Sequence, residues 1–137
     1  MKRHFYVTQY ASIFDKDNRM LLMRNANDEQ IKGKWVFPGG HIDSDADVIS
    51  ALAREVKEET NLKISSAWVF KTAIKKYPDG LWRYVVYYIC EANGSFKLSE
   101  EHDAFEWADL KTAKKMQFRD NEEKQLVMDL IKRKNSK

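Results

Sequence analysis

The sequence predicts an α/β protein in which a sheet is covered by helices, and three observations lead there. Short runs rich in β-branched and aromatic residues are broken by two helical patterns, in the order strands, helix, strands, helix. That order lacks the regular repetition of a wholly parallel sheet, so a mixed α+β arrangement or an α/β/α sandwich is expected. At 137 residues, 43% hydrophobic and 33% charged, the chain suits one globular domain over residues 1–137 with a real core.

The elements follow in order. "FYVTQYASIF" (5–14) reads as a strand, "DKDN" (15–18) as a turn, and "RMLLMR" (19–24) as a second strand, giving a hairpin. The polar stretch "NANDEQIKGK" leads to "WVFPGG". "SDADVISALAREVKEET" has helical spacing, with Val48, Ile49, Leu52, Ala53 and Val56 as its apolar stripe and Ser44, Asp45 or Asp47 as its cap. "KISSAWVFKTAIKKY" and "LWRYVVYYICEA" form a long hairpin joined at "PDG". "AFEWADL" is a short strand running into a turn. The last element, "DNEEKQLVMDLIKRK", is a helix capped by Asp120, with Leu126, Val127, Leu130 and Ile131 facing inward.

Composition narrows the function classes. A formal net charge of +3 is too small a bias to indicate a nucleic-acid polymer as partner, and the basic tail "IKRKNSK" reads as a solvated helix end. Apolar runs stay short of the ~18 residues that a membrane span requires. "MKRHFYVTQY" has no apolar core or cleavage site of a signal peptide, so a cytoplasmic location is expected. Cys90, the single cysteine, sits in "YVVYYIC" and is expected to be a small buried hydrophobe.

"AREVKEETNL" concentrates acid where a helix least accepts it. Glu55, Glu58 and Glu59 share an arc of roughly 100°. Like charges at these spacings cost ~0.2–0.5 kcal/mol per pair, and the negative helix end adds ~0.3–1 kcal/mol each. Glu59 also points to the inner edge of the apolar stripe. Arg54 is spaced to pair with Glu58, and Lys63 with Glu59, so a surface ion-pair lattice is one reading. A site for a hard divalent cation is the other, since carboxylate oxygens are what Mg²⁺ takes. Upstream, Pro38, Gly39 and Gly40 form either a plain turn or a backbone able to approach a ligand closely.

Read from Gly40, "GHIDSDADVISALAREVKEETNL" resembles the signature of the Nudix hydrolases: Gly, five residues, Glu, seven residues, Arg-Glu, an aliphatic residue, any residue, Glu-Glu, any residue, Gly, an aliphatic residue. Gly40, Arg54, Glu55, Val56, Glu58, Glu59 and Leu62 match in register. The box covers 23 residues, and "GKWVFPGG" and "FEWADL" also look typical. Two positions depart. Asn61 stands at the final Gly, and Asn readily takes the left-handed conformation at a helix end. Ala46 stands where the first signature Glu belongs, with Asp43, Asp45 and Asp47 around it as candidate replacements.

The resemblance implies a Nudix-type α/β/α sandwich with a mixed central sheet, and hydrolysis of a phosphoanhydride bond in a nucleoside diphosphate linked to another group. It implies Mg²⁺ as cofactor, with Mn²⁺ as an alternative, held by Glu55, Glu58, Glu59 and the Gly39 carbonyl. Glu55 would also activate water, and Arg54 would orient Glu55 or Glu58. Substrate contacts are assigned to Arg24, Trp35, Gly40, His41 and Tyr84, and Glu101 is a candidate further ligand. Each has a plainer alternative: a surface arginine, core aromatics, a loop hydrogen bond, a solvated acid. "GKWVFPGG" and the compact length look most like the MutT-type branch acting on nucleoside triphosphates. ADP-ribose or another nucleotide sugar is the close alternative, and a non-catalytic nucleotide binder the alternative from another class. A homodimer is left open as the assembly.

Overall fold

The computed structural model describes residues 2–43 and 47–136; Ser44, Asp45 and Ala46, and with them two candidate caps and the main departure from the signature, lie outside the described residues. The strands are β1 (Tyr6–Ile13), β2 (Met20–Asn25), β3 (Trp35–Val36), β4 (Gly39–His41), β5 (Lys63–Lys76), β6 (Trp82–Asn93) and β7 (His102–Ala108). The helices are α1 (Val48–Thr60), α2 (Leu110–Lys115) and α3 (Asn121–Asn135). The chain folds as two compact units, Met1–Ala11 with Pro38–Lys97, and Ser12–Phe37 with Leu98–Lys137.

The first unit is built on a sheet of order β4-β1-β6-β5, with α1 packed against β4 and β5. The β5–β6 ladder runs antiparallel from Lys63↔Asn93 to Lys76↔Trp82, with bulges between Ile64 and Ser66 and between Val69 and Lys71. Its turn closes where the Tyr77 amide donates to the Leu81 carbonyl, as "PDG" requires. Val85 to Cys90 is buried throughout, and burial pushes the Cys90 thiol up to about 12, so it is the inert hydrophobe expected.

The second unit has a sheet of order β3-β2-β7 together with α2 and α3. Met20 to Met23 are fully buried. Asp120 caps α3 by accepting the Glu123 amide, and Leu126, Val127, Leu130 and Ile131 are buried as the helical period demands.

Four expectations change. The 5–24 hairpin is only a turn: Asp15 takes the amides of Asp17 and Arg19, and one bridge, Phe14↔Met20, closes it. The strands then enter different sheets, because both bury residues on both faces and need two sets of neighbours. The apolar stripe of α1 is narrower than its sequence suggests. Leu52 and Val56 are buried, whereas Val48 and Ile49 are exposed in the first turn. Gly39 and Gly40 belong to β4 rather than to a free turn, paired with Tyr10 and Gln9. Finally, the turn after "FEWADL" is a helix, α2, whose start Asp109 caps by accepting the Thr112 amide.

Candidate active site

The acidic helix and the glycine strand meet within the first unit. Asp47 starts α1, accepting from the Ser50 amide at 3.3 Å and the Ser50 hydroxyl at 2.5 Å. The hydroxyl bond is the largest influence holding the Asp47 carboxyl below the usual range. At the other end Asn61 adopts φ +63°, the left-handed cap expected of it. Its side-chain amide donates to the Ser95 carbonyl at 2.9 Å, which the signature Gly could not do. The Lys97 amide donates to the Thr60 carbonyl, also at 2.9 Å. The end of the helix that carries the glutamates is therefore fastened to the segment after β6.

Each glutamate has its own surroundings. Glu59 is buried, and its carboxylate accepts the Gly39 amide at 3.0 Å, which accounts for an acid on the inner edge of the stripe. Glu55 lies beside Gly40, where an added Cβ would stand 3.5 Å from its Oε2. Glu58 points outward, and Arg54 bridges it to Glu55 at 3.4 and 3.5 Å. The Arg54–Glu58 pair expected from spacing is thus present, while Glu59 turns to β4.

The remaining predicted residues divide between the units. His41 ends β4, with its Nε2 2.6 Å from Asp43 and its ring edge-on to Tyr6. Tyr84 is an exposed residue of β6, opposite Ile74. Arg24, Trp35 and Glu101 belong to the second unit. There Arg24 pairs with Asp103 at 2.7 Å and lies 5.8 Å over the Trp35 ring. The Glu101 carbonyl accepts the Ala26 amide. Sequence reasoning missed Gln9, a buried amide that joins β1 to α1 and β6. Its signal was a long polar side chain in mid-strand, within "YVTQYAS".

A family model described as the NUDIX domain matches residues 5–130. The chain belongs to the Nudix hydrolase family. An ADP-ribose pyrophosphatase of Methanocaldococcus jannaschii is 29% identical over 125 residues, 90% of this chain and 72% of that protein. A protein of Klebsiella pneumoniae named nucleoside triphosphatase NudI is 30% identical over 112 residues, 73% of this chain and 79% of its own. In three dimensions, a MutT protein from Methanosarcina mazei Go1 matches with a TM-score of 0.77 at 23% identity, over 100% of this chain and 99% of that one. That likeness shows the Nudix fold.

Nudix hydrolases generally depend on divalent metal ions. The donor set here suits one: carboxylate oxygens on one helical arc, with Gly40 placing no side chain beside Glu55. In the conformation described, no three His, Cys, Asp or Glu side chains among the described residues are grouped to hold a metal ion. Glu58 is turned to Arg54 and Glu59 to Gly39. Redirecting Glu58 costs little, because an exposed ion pair contributes at most ~1 kcal/mol. The residues fit the ion in chemistry.

Proposed function

We propose that this single Nudix domain, residues 1–137, hydrolyses a phosphoanhydride bond in a nucleoside triphosphate with Mg²⁺ as cofactor. The observation that carries this reading is the seating of the signature helix on β4, with Glu59 held by the Gly39 amide and Glu55 against Gly40. A passive binder has no need of three mutually repelling carboxylates on such a helix. Relatives named nucleoside triphosphatase support the substrate. The relative named ADP-ribose pyrophosphatase, which matches most of this chain, favours a nucleotide sugar as the second reading.

In this mechanism Glu55, Glu58 and Glu59, with the Gly39 carbonyl, would hold the cation. A cation held there would supply charge neutralisation for the phosphates and a more acidic water. Glu55 accepts the water's proton while the water oxygen bonds to phosphorus. The bridging P–O bond breaks, and its electron pair leaves with the departing phosphate. Arg54 contacts Glu55 and orients it, while its exposed pair with Glu58 is weak enough to yield when Glu58 turns to the cation. Gly40 leaves the space beside Glu55 open. A screen of nucleoside triphosphates and nucleotide sugars with Mg²⁺, scored by the phosphate products, tests the proposal. Turnover of triphosphates to monophosphate and pyrophosphate is expected. Cleavage of ADP-ribose alone would move the assignment to the second reading.

A further inference from the structure

We infer that Gln9 is a positioning residue that sets where the glutamate helix lies against β4. The inference rests on the hydrolase reading of α1 only for its kinetic consequences. Gln9 is 2% exposed and lies in mid-β1, directly opposite Gly40, the residue that faces Glu55. Its Nε2 donates to the Val48 carbonyl in the first turn of α1 at 2.8 Å. Its Oε1 accepts the Tyr88 hydroxyl of β6 at 2.8 Å. One side chain therefore joins the helix start to two strands.

That bond ties the helix start to the sheet. Val48 and Ile49 are 47% and 40% exposed, so apolar anchoring of α1 begins only at Ala51 and Leu52, and the Gln9 bond holds the residues before them. The far end has two fastenings of its own, Asn61 to Ser95 and Thr60 to Lys97. Without Gln9 the helix would be held firmly at its C-terminal end and loosely at the other, and could pivot. Glu55 is nearer the loose end than Glu58 or Glu59 and would move most. Tyr88 acts through Gln9: its hydroxyl occupies Oε1, which leaves Nε2 directed at Val48. The backbone carbonyl of Gln9 also occupies the space that a Cβ at Gly39 would need.

The test compares Gln9→Met, Tyr88→Phe and the double variant with wild type in the full chain. Misplacement of about 1 Å at a reacting group costs up to ~10²-fold, so Gln9→Met should lower kcat by ~10–10²-fold with KM within ~3-fold. Amide exchange at Ala51 and Leu52, measured without metal or nucleotide, should quicken by at least ~10-fold relative to Val56. Tyr88→Phe should show both effects more weakly, and the double variant should match Gln9→Met, because the two residues act as one unit. A Gln9→Met protein with unchanged kcat, or with uniform exchange along α1, overturns the inference. If Gln9→Met does not fold, Tyr88→Phe decides, and wild-type kcat with wild-type exchange overturns it. Should wild type hydrolyse no nucleotide, the hydrolase reading fails, while the exchange measurement still judges the tether.

Discussion

Gly39 has φ +136°, and a Cβ there would overlap the Gln9 carbonyl oxygen and crowd Tyr10 Cα. Glycine is therefore required by both torsion and space, and its uncovered amide is what Glu59 uses. Gly39→Ala should cost roughly 2–5 kcal/mol, from overpacking together with backbone strain, and a denaturant melt measures it. Gly40→Ala meets only ordinary contact with Glu55 and makes a useful control. Position 46 is the second residue-scale test. Two of its three candidate replacements already have partners, since Asp47 caps the helix and Asp43 pairs with His41. Ala46→Glu should raise turnover by less than ~10-fold at saturating Mg²⁺, the low end for a supporting carboxylate, and by more when metal is scarce. Kinetics across a metal titration measure this, and a slower variant at every concentration would point to a local replacement.

At the scale of elements, periodicity revealed α1, α3 and the β5–β6 hairpin because each has a long repeating pattern and a marked start or turn. The pairing of β1 and β2 was not legible, since "DKDN" specifies a turn but not which sheet each flanking strand joins. Nor was α2, six residues long, which has too few turns to show a period. The narrow stripe of α1 has the same origin: Val48 and Ile49 match the helical repeat, but the repeat does not say where covering elements end. The spacing of the acids and glycines was legible as a pattern, and the fold brings Glu59 to the Gly39 amide and Glu55 beside Gly40. Along β5, at the edge of its sheet, exposed Trp68, Val69 and Ile74 are interspersed with Lys63, Lys71, Lys75 and Lys76 and two bulges, which discourage edge pairing. His102 opens β7, buried, with Nδ1 3.2 Å from the Ser99 hydroxyl. Burial is the largest influence and pulls its pKa below the ordinary ~6.5, against the opposing charges of Glu101 and Asp103. The unfolded chain therefore takes up this proton first. Stability should fall as pH drops from ~6.5 towards the lower folded value. Melts across that range should show the loss, and His102→Gln should flatten it.

For the whole molecule, a Nudix fold seats the signature helix on β4, with Glu59 on the Gly39 amide and Glu55 beside Gly40. A ligand that binds only the folded chain raises the melting temperature by mass action. Mg²⁺ alone should give a small shift because it keeps its waters, and a larger one with a non-hydrolysable nucleotide present. Absence of any shift with Mg²⁺ or Mn²⁺, even with nucleotide, would count against the metal site. The central claim, that the α1 glutamates do the chemistry, is tested most directly by turnover of Glu58→Gln and Glu59→Gln beside their thermal melts. Each should lose at least ~10²-fold in activity through impaired metal-ion catalysis. Each should also melt near wild type, since a neutral amide relieves repulsion and, in Glu59→Gln, the new side-chain carbonyl can still accept the Gly39 amide. Near-normal turnover in both variants would contradict the account and leave the glutamates as an ion-pair lattice.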